Sequence, residues 1–306
     1  MPTNFPHEPR TFLYKAQGPE RRCGVKRLIV AADDFGLTQS INEGIARSCR
    51  DGIVTSVNII PTGEAFEDAL RLAKEMGLKE IGAHLALTET GPVTEASGIP
   101  TLVAGGTAFH KSHTSFGLRY LLGRIDLGEA YAELKGQLEK VDGTGLTITN
   151  LSSHEHIHML PDILDIFVKL AREYGVPAIR YPHQELARPV SGGGRTARRL
   201  VLSCFEKGMG ATLRAAGIAH PDHFLGFLDS GNLAEDVLID MIGSLRDGTT
   251  ELVCHPGFLG PRILDRYPFH RNCEAELAAL TSQRVKKLLA SSGVHLVRYG
   301  EWALKK

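Results

Sequence analysis

The sequence predicts an α/β fold: seven or eight parallel strands with helices packed outside them, closed as an irregular (β/α) barrel. Three observations predict it. Short β-branched runs alternate with longer segments of helical period, mostly in single strand–helix steps. The run "RLIVAADD" (27–34) reads as a strand buried on both faces, as parallel sheets require. The chain has 306 residues, 42% apolar and 23% charged, enough for one large domain or two small ones. At this length a barrel is favoured over an open sheet. Residues 1–25 read as a tail and residues 26–306 as one domain.

The elements follow in order. After strand 27–34, "INEGIARSCRDG" is a helix stopped by Gly52. "VTSVNIIPTG" is the next strand and "AFEDALRLAKEMG" the next helix, with Gly77 as its stop. "EIGAHLALTE" is the third strand, and a polar, glycine-rich excursion spans about 90–120. A helix near 127–141 leads to strand "LTITNLSSHEH", then helix "DILDIFVKLAREYG" and strand "AIRYPH". "SGGGRT" (191–196) lacks the flanking strand of a phosphate loop and reads as a flexible connection. Strand "HFLGFL", a helix around 233–246, strand "TELVCHPG", helix "EAELAALTSQRVKKLLASSG" and the final run "VHLVRYGEW" complete the chain.

Lys+Arg and Asp+Glu balance at 35 each, so no global field points to nucleic acid. Five widely spaced cysteines, Cys23, Cys49, Cys204, Cys254 and Cys273, contain no C-x-x-C and suit a reducing, cytoplasmic setting. The N-terminal residues carry no apolar core of a secretory signal, and no 18-residue apolar run is present.

"SSHEHIHMLP" (152–161) spells H-E-x-x-H, the zinc-protease helix signature. The preceding "LTITNL" alternates with period two and favours a strand. Pro161 would break a helix carried on from His154, but it suits the first turn of a new one. On a strand running into a loop, His154, His156 and His158 share one face while it stays extended.

Asp33 and Asp34 end the first buried strand, where two adjacent carboxylates need a positive partner such as a metal ion. The D-F-G string there is a kinase motif without the kinase's other loops. His84 ends the third strand. Asp34, His84 and His154 therefore arise near one barrel mouth, where active sites of such folds collect. One carboxylate and two imidazoles leave coordination positions open for hydrolysis. His255, before the sharp Pro256-Gly257 turn, is placed to protonate a leaving group.

The stretches "LIVAADDFGL", "DGIVTSVNII", "IGAHLALTE", "SSHEHIHMLP" and "CHP", over roughly residues 27–257, resemble the YdjC family of carbohydrate deacetylases. The resemblance implies an irregular barrel like that of NodB-type deacetylases. It also implies hydrolysis of an N-acetyl group on an amino sugar with one divalent metal; mixed oxygen and nitrogen ligation suits zinc, with magnesium, manganese and cobalt as alternatives. By position, Asp34, His84 and His154 match the family's ligands and Asp33 its base. His156 and His158 match further motif histidines of the pocket. Ser152 and Glu155 stand where many members carry Asp and His. "LAREYGVPAIRYPHQE" and "FLDSG" are similar to the hopanoid-biosynthesis branch more than to the chitooligosaccharide branch.

The expected chemistry has Asp33 taking a proton from the attacking water and His255 protonating the amine. Arg180 is expected to hold a sugar hydroxyl or orient a carboxylate, with a plain salt bridge as the alternative, and Asp229 to orient His255. Arg180, His156, His158 and Asp229 thus make up the substrate-binding set. The basic segment 195–217, with Arg195, Arg198, Arg199, Lys207 and Arg214, suits either an ordinary surface helix or a peripheral membrane contact to a lipid-linked sugar. A homodimer is left open. The competing functions are a zinc peptidase built on H-E-x-x-H and a non-catalytic sugar-binding barrel. A glycosidase using Asp33 and Asp34 is disfavoured, because adjacent carboxylates cannot flank a glycosidic bond.

Overall fold

The computed structural model describes residues 24–183, 193–261 and 263–304. The tail expected at 1–25 falls outside them except for its last two residues, as do Cys23 and the side chains of Arg195 and Arg198. The strands are β1 (Lys26–Phe35), β2 (Ser56–Ile59), β3 (Glu80–Leu85), β4 (Val103–Ala104), β5 (Ala108–Phe109), β6 (Thr147–Ser153), β7 (His223–Leu225), β8 (Gly248–Cys254) and β9 (Val294–Leu296). The helices are α1 (Gln39–Asp51), α2 (Phe66–Glu75), α3 (His113–Leu121), α4 (Leu127–Asp142), α5 (Pro161–Glu173), α6 (Gly193–Ala216), α7 (Glu235–Gly243), α8 (Ile263–Arg266), α9 (Cys273–Thr281), α10 (Gln283–Ser291) and α11 (Tyr299–Ala303).

Seven strands form one parallel sheet in the order β6-β3-β2-β1-β8-β7, with β9 pairing the start of β1. Isolated parallel bridges Leu151–Ile179 and Ala178–Ala219 carry the path on from β6 toward the segment entering β7. That course is compatible with a closed barrel. The expected strand "AIRYPH" is thus reduced to single bridges, and "HFLGFL" to the three residues of β7.

Local chemistry explains the element ends. Thr38 caps α1 by accepting the Ile41 amide, and Asp126 caps α4 by accepting from Gly128 and Glu129. Pro161 opens α5, as the sequence predicts. The single helix expected over 274–293 is two, because Ser282 leaves helical dihedrals and caps α10 by accepting from Arg284 and Val285. The excursion 90–120 is ordered by the β4–β5 hairpin and α3. From Gly193 onward the expected flexible loop is instead helix α6, where Arg199 is paired with Glu206 at 3.0 Å. No described helix is long and apolar enough to cross a membrane.

Alternation along β1 sorts its side chains. Leu28, Val30 and Ala32 join the large core under the helices. Ile29 and Ala31 face the other way and pack with Ala178, Tyr299, Trp302 and Ala303. The second group is the inner face of the sheet, sealed by α11. Asp33 continues that inner row.

Candidate metal centre

Asp33 and Asp34 are neighbours, so an undisturbed strand would send them to opposite faces. The register of β1 against β2 shifts between Ala32 and Phe35, and Asp34 takes φ +68. That kink brings both carboxylates to the strand's C-terminal mouth. Both are 1% exposed.

Asp33 is gripped from below. Arg180 donates to Oδ2 at 2.5 Å and Oδ1 at 2.9 Å, and Asn58 donates to Oδ1 at 2.7 Å. The same guanidinium donates through Nε to Glu251 at 2.8 Å, and Tyr299 donates to the other Glu251 oxygen at 2.5 Å. Asn150 donates to Asn58 at 2.9 Å. This chain of buried polar groups crosses the inner face. Burial would raise the Asp33 carboxyl, but the Arg180 charge and then His84 outweigh it and hold it well below the usual carboxylate range. Arg180 is 0% exposed and pairs with both Asp33 and Glu251, the salt-bridged arrangement that the sequence offered as an alternative to a sugar contact.

Asp34, His84 and His154 converge. One ligand atom from each lies within 4.8 Å of the others, and all three residues are buried. His84 Nε2 is 3.5 Å and His154 Nδ1 2.9 Å from the same Asp34 oxygen, Oδ1. Ligand atoms around a tetrahedral zinc ion with bonds of ~2.1 Å stand about 3.4 Å apart, so donor set and spacing both fit a divalent cation. His84 Nδ1 hydrogen-bonds Ser152 Oγ at 2.8 Å across the β3–β6 pair. Burial, only partly opposed by Asp33 and Asp34, pushes His84 down to about 4 and keeps it neutral. His154 goes the other way: despite burial, Asp34 and then Glu89 raise it well above the ordinary imidazole range. Burial would likewise raise Asp34, but His154 and His270 hold it far down.

The strand ends at Ser153, and Glu155 and His156 both take φ +54. The expectation that three histidines share one extended face therefore fails beyond His154. His156 turns toward Phe227 and Phe224, with ring centroids 5.0 and 6.2 Å away, and its Nδ1 is buried without a partner. His158 packs on Phe167, meets Ser153 Oγ at 2.5 Å and Arg180 O at 3.2 Å, and is fully buried. It is held behind the cluster by Ser153 and the Arg180 carbonyl. The zinc-protease helix is absent: left-handed residues separate His154 from His158, and only His154 joins the cluster.

His255 follows β8, 8% exposed, with its Nδ1 buried and unbonded. Its amide donates to Glu276 Oε2 at 2.7 Å, and that oxygen is 4.0 Å from Nδ1. Glu276 of α9 thus places a carboxylate against His255. Asp229 is buried in the turn after β7, where its carbonyl accepts the Asn232 amide. Sequence reasoning missed Glu276, Glu89, Asn58, Glu251, Tyr299 and also His270, whose Nε2 is 3.0 Å from Asp34 Oδ2. Glu89 closes a quoted motif, "LALTE"; no pattern marks His270, which reaches Asp34 across 236 residues. A cavity of about 290 Å³ lies at the opposite end of β2 and β3, lined by Cys49, Ser56, Lys79, Glu80 and Arg298. None of the candidate site residues lines it.

Comparison with known proteins agrees with this architecture. A carbohydrate deacetylase of Brevibacillus brevis is 32% identical over 276 residues, covering 90% of this chain and 99% of that one. A carbohydrate deacetylase of Vibrio parahaemolyticus is 29% identical, covering 89% and 95%. The crystal structure of an Enterococcus faecalis protein named for cellobiose-phosphate cleavage superposes with a TM-score of 0.75 at 24% identity, over 92% of this chain and all of that one. The model of the YdjC-like protein family matches residues 27–291, and the chain belongs to that family.

Proposed function

We propose that this protein hydrolyses the N-acetyl group of an amino sugar, using one divalent metal held by Asp34, His84 and His154. The observation that carries the reading is the buried convergence of those three ligand atoms beside an ionised, arginine-gripped Asp33. The relatives named carbohydrate deacetylases supply the substrate class. Two imidazoles and a carboxylate suit zinc better than magnesium, which prefers an all-oxygen shell.

Bound there, the cation would supply Lewis-acid polarisation of the acyl carbonyl and a more acidic water. The chain's own residues do the rest. Asp33 Oδ2 carries a single hydrogen bond, from Arg180, and so keeps capacity to accept a proton from the attacking water. Arg180 and Asn58 fix its orientation. His255, its Nδ1 unbonded and walled by Phe269 at 4.9 Å, gives a proton to the departing amine. His156, beside Phe224 and Phe227, lines the sugar pocket.

The test combines metal analysis with acetate release from free, oligomeric and lipid-linked N-acetyl sugars. Asp34→Asn and His154→Ala should lose both metal and turnover. Asp33→Asn should keep the metal and lose about 10²–10⁴ in rate. Full acetate release by His154→Ala would reject the proposal.

A further inference from the structure

Each ligand imidazole must present a lone pair to a cation through one nitrogen and dispose of an N–H on the other. His84 does so through Ser152, which takes Nδ1 and leaves Nε2 toward Asp34. His154 is turned the opposite way. Its Nδ1 faces Asp34 Oδ1 at 2.9 Å, and its Nε2 lies 2.9 Å from Glu89 Oε2.

Glu89 stands in the loop after β3 at φ +63, a conformation that costs a non-glycine residue on the order of 1 kcal/mol. The backbone holds it there. Its amide donates to His110 O at 3.0 Å, Thr90 donates to Thr88 O at 2.7 Å, and Phe109 donates to Thr90 O at 3.0 Å. Thr88 and His110 are bridged as well, so the β4–β5 hairpin clamps the loop on both sides of Glu89. No described side chain besides His154 pairs with its carboxylate. A strained, clamped acid whose one partner is a ligand histidine has a role that the strand pattern does not require.

We propose that Glu89 is a positioning residue of the metal centre: it accepts the Nε2–H of His154 and fixes the tautomer that turns Nδ1 toward Asp34 and the cation. The inference rests on the metal reading of Asp34, His84 and His154. A carboxylate behind a ligand imidazole also raises its basicity, so its removal weakens metal binding without removing a ligand.

The experiment measures Zn²⁺ affinity of the full chain by competition with a chromophoric chelator, together with the visible spectrum of the Co²⁺-loaded protein. Wild type is compared with Glu89→Gln, Glu89→Ala, Glu89→Gly and Asp34→Asn. Glu89→Gln keeps an acceptor oxygen and loses the charge, so its affinity should fall between wild type and Glu89→Ala, with Glu89→Ala down about 10–100-fold. Glu89→Gly relieves the backbone strain and should still bind as weakly as Glu89→Ala, which a purely structural role would not produce. The Co²⁺ band should shift in each Glu89 variant. Affinities within about twofold of wild type for Glu89→Gln and Glu89→Ala, with Asp34→Asn binding lost, overturn the proposal and leave the metal site standing. A loss beyond ~10³-fold makes Glu89 a ligand and overturns the positioning role. Wild-type affinity in Asp34→Asn removes the metal reading itself, and this proposal with it.

Discussion

Arg180 carries no surface charge function; it is fully buried between Asp33 and Glu251. Its guanidinium holds its proton more tightly than an ordinary arginine because, against the cost of burial, Asp33 and then Glu251 stabilise the charged form. Removing one member of such a set strands the others. Arg180→Met should destabilise the fold by about 3–5 kcal/mol, read as a lowered denaturation midpoint, because two buried carboxylates lose their cation. A change under ~1 kcal/mol would show that the network relaxes to water instead. His158 makes a second single-residue prediction. Burial, aided by Arg180, pushes it down to about 3 from 6.5. The unfolded chain takes a proton near pH 6.5 that the fold refuses until about 3, so stability is complete above 6.5 and drains as the pH falls through that window. One such group adds a slope of about 1.4 kcal/mol per pH unit. His158→Gln should flatten the acid limb of stability by that amount in denaturant titrations across the window; an unchanged slope would deny His158 its neutral, buried role.

Elements deliver these residues, and their legibility differed for physical reasons. β1 was readable because its apolar run is continuous, and α5 because Pro161 marks its start. The convergence of Asp34, His84 and His154 followed from one rule, that parallel strands end at one mouth. What the sequence hid was backbone at positive φ without glycine. Asp34, Glu89, Glu155 and His156 all take it, and no composition signal announces it. Hence the three alternating histidines looked coplanar and are splayed. Pairings across the inner face, such as Tyr299 with Glu251, were equally invisible, since they join residues with no local pattern. Helix packing also sets the site. A Cβ added at Gly44 on α1 would run into the backbone of Gly257, two residues past His255. The Phe258 amide donates to Ser40 O at 3.0 Å, so the His255 turn is docked on the start of α1. Gly44→Ala should therefore displace His255: the rate of acetate release falls while metal content stays at the wild-type level. Equal loss of both would mean that the clash unfolds the domain rather than moving the turn.

At the scale of the whole molecule, the centre is a knot between distant parts of the chain. Asp34 comes from the end of β1, His84 from β3 and His154 from beyond β6; His270 reaches Asp34 from between α8 and α9. Below them, Asn58, Arg180, Glu251 and Tyr299 link β2, the segment after α5, β8 and α11 to Asp33. These residues meet only in the folded chain, so a cation held by them would bind the fold alone and stabilise it by mass action. At a free concentration one hundred times the dissociation constant the gain is about 2.7 kcal/mol. A chain of 306 residues unfolds with an entropy of about 0.6 kcal/mol/K, so the melting temperature should rise by about 4 °C over the chelated protein. The test is differential scanning calorimetry with and without chelator, repeated on Asp34→Asn. That variant should melt at one temperature in both conditions. Chelation that leaves the wild-type transition where it was would mean that these residues meet without holding an ion, and the hydrolytic reading would lose its cation.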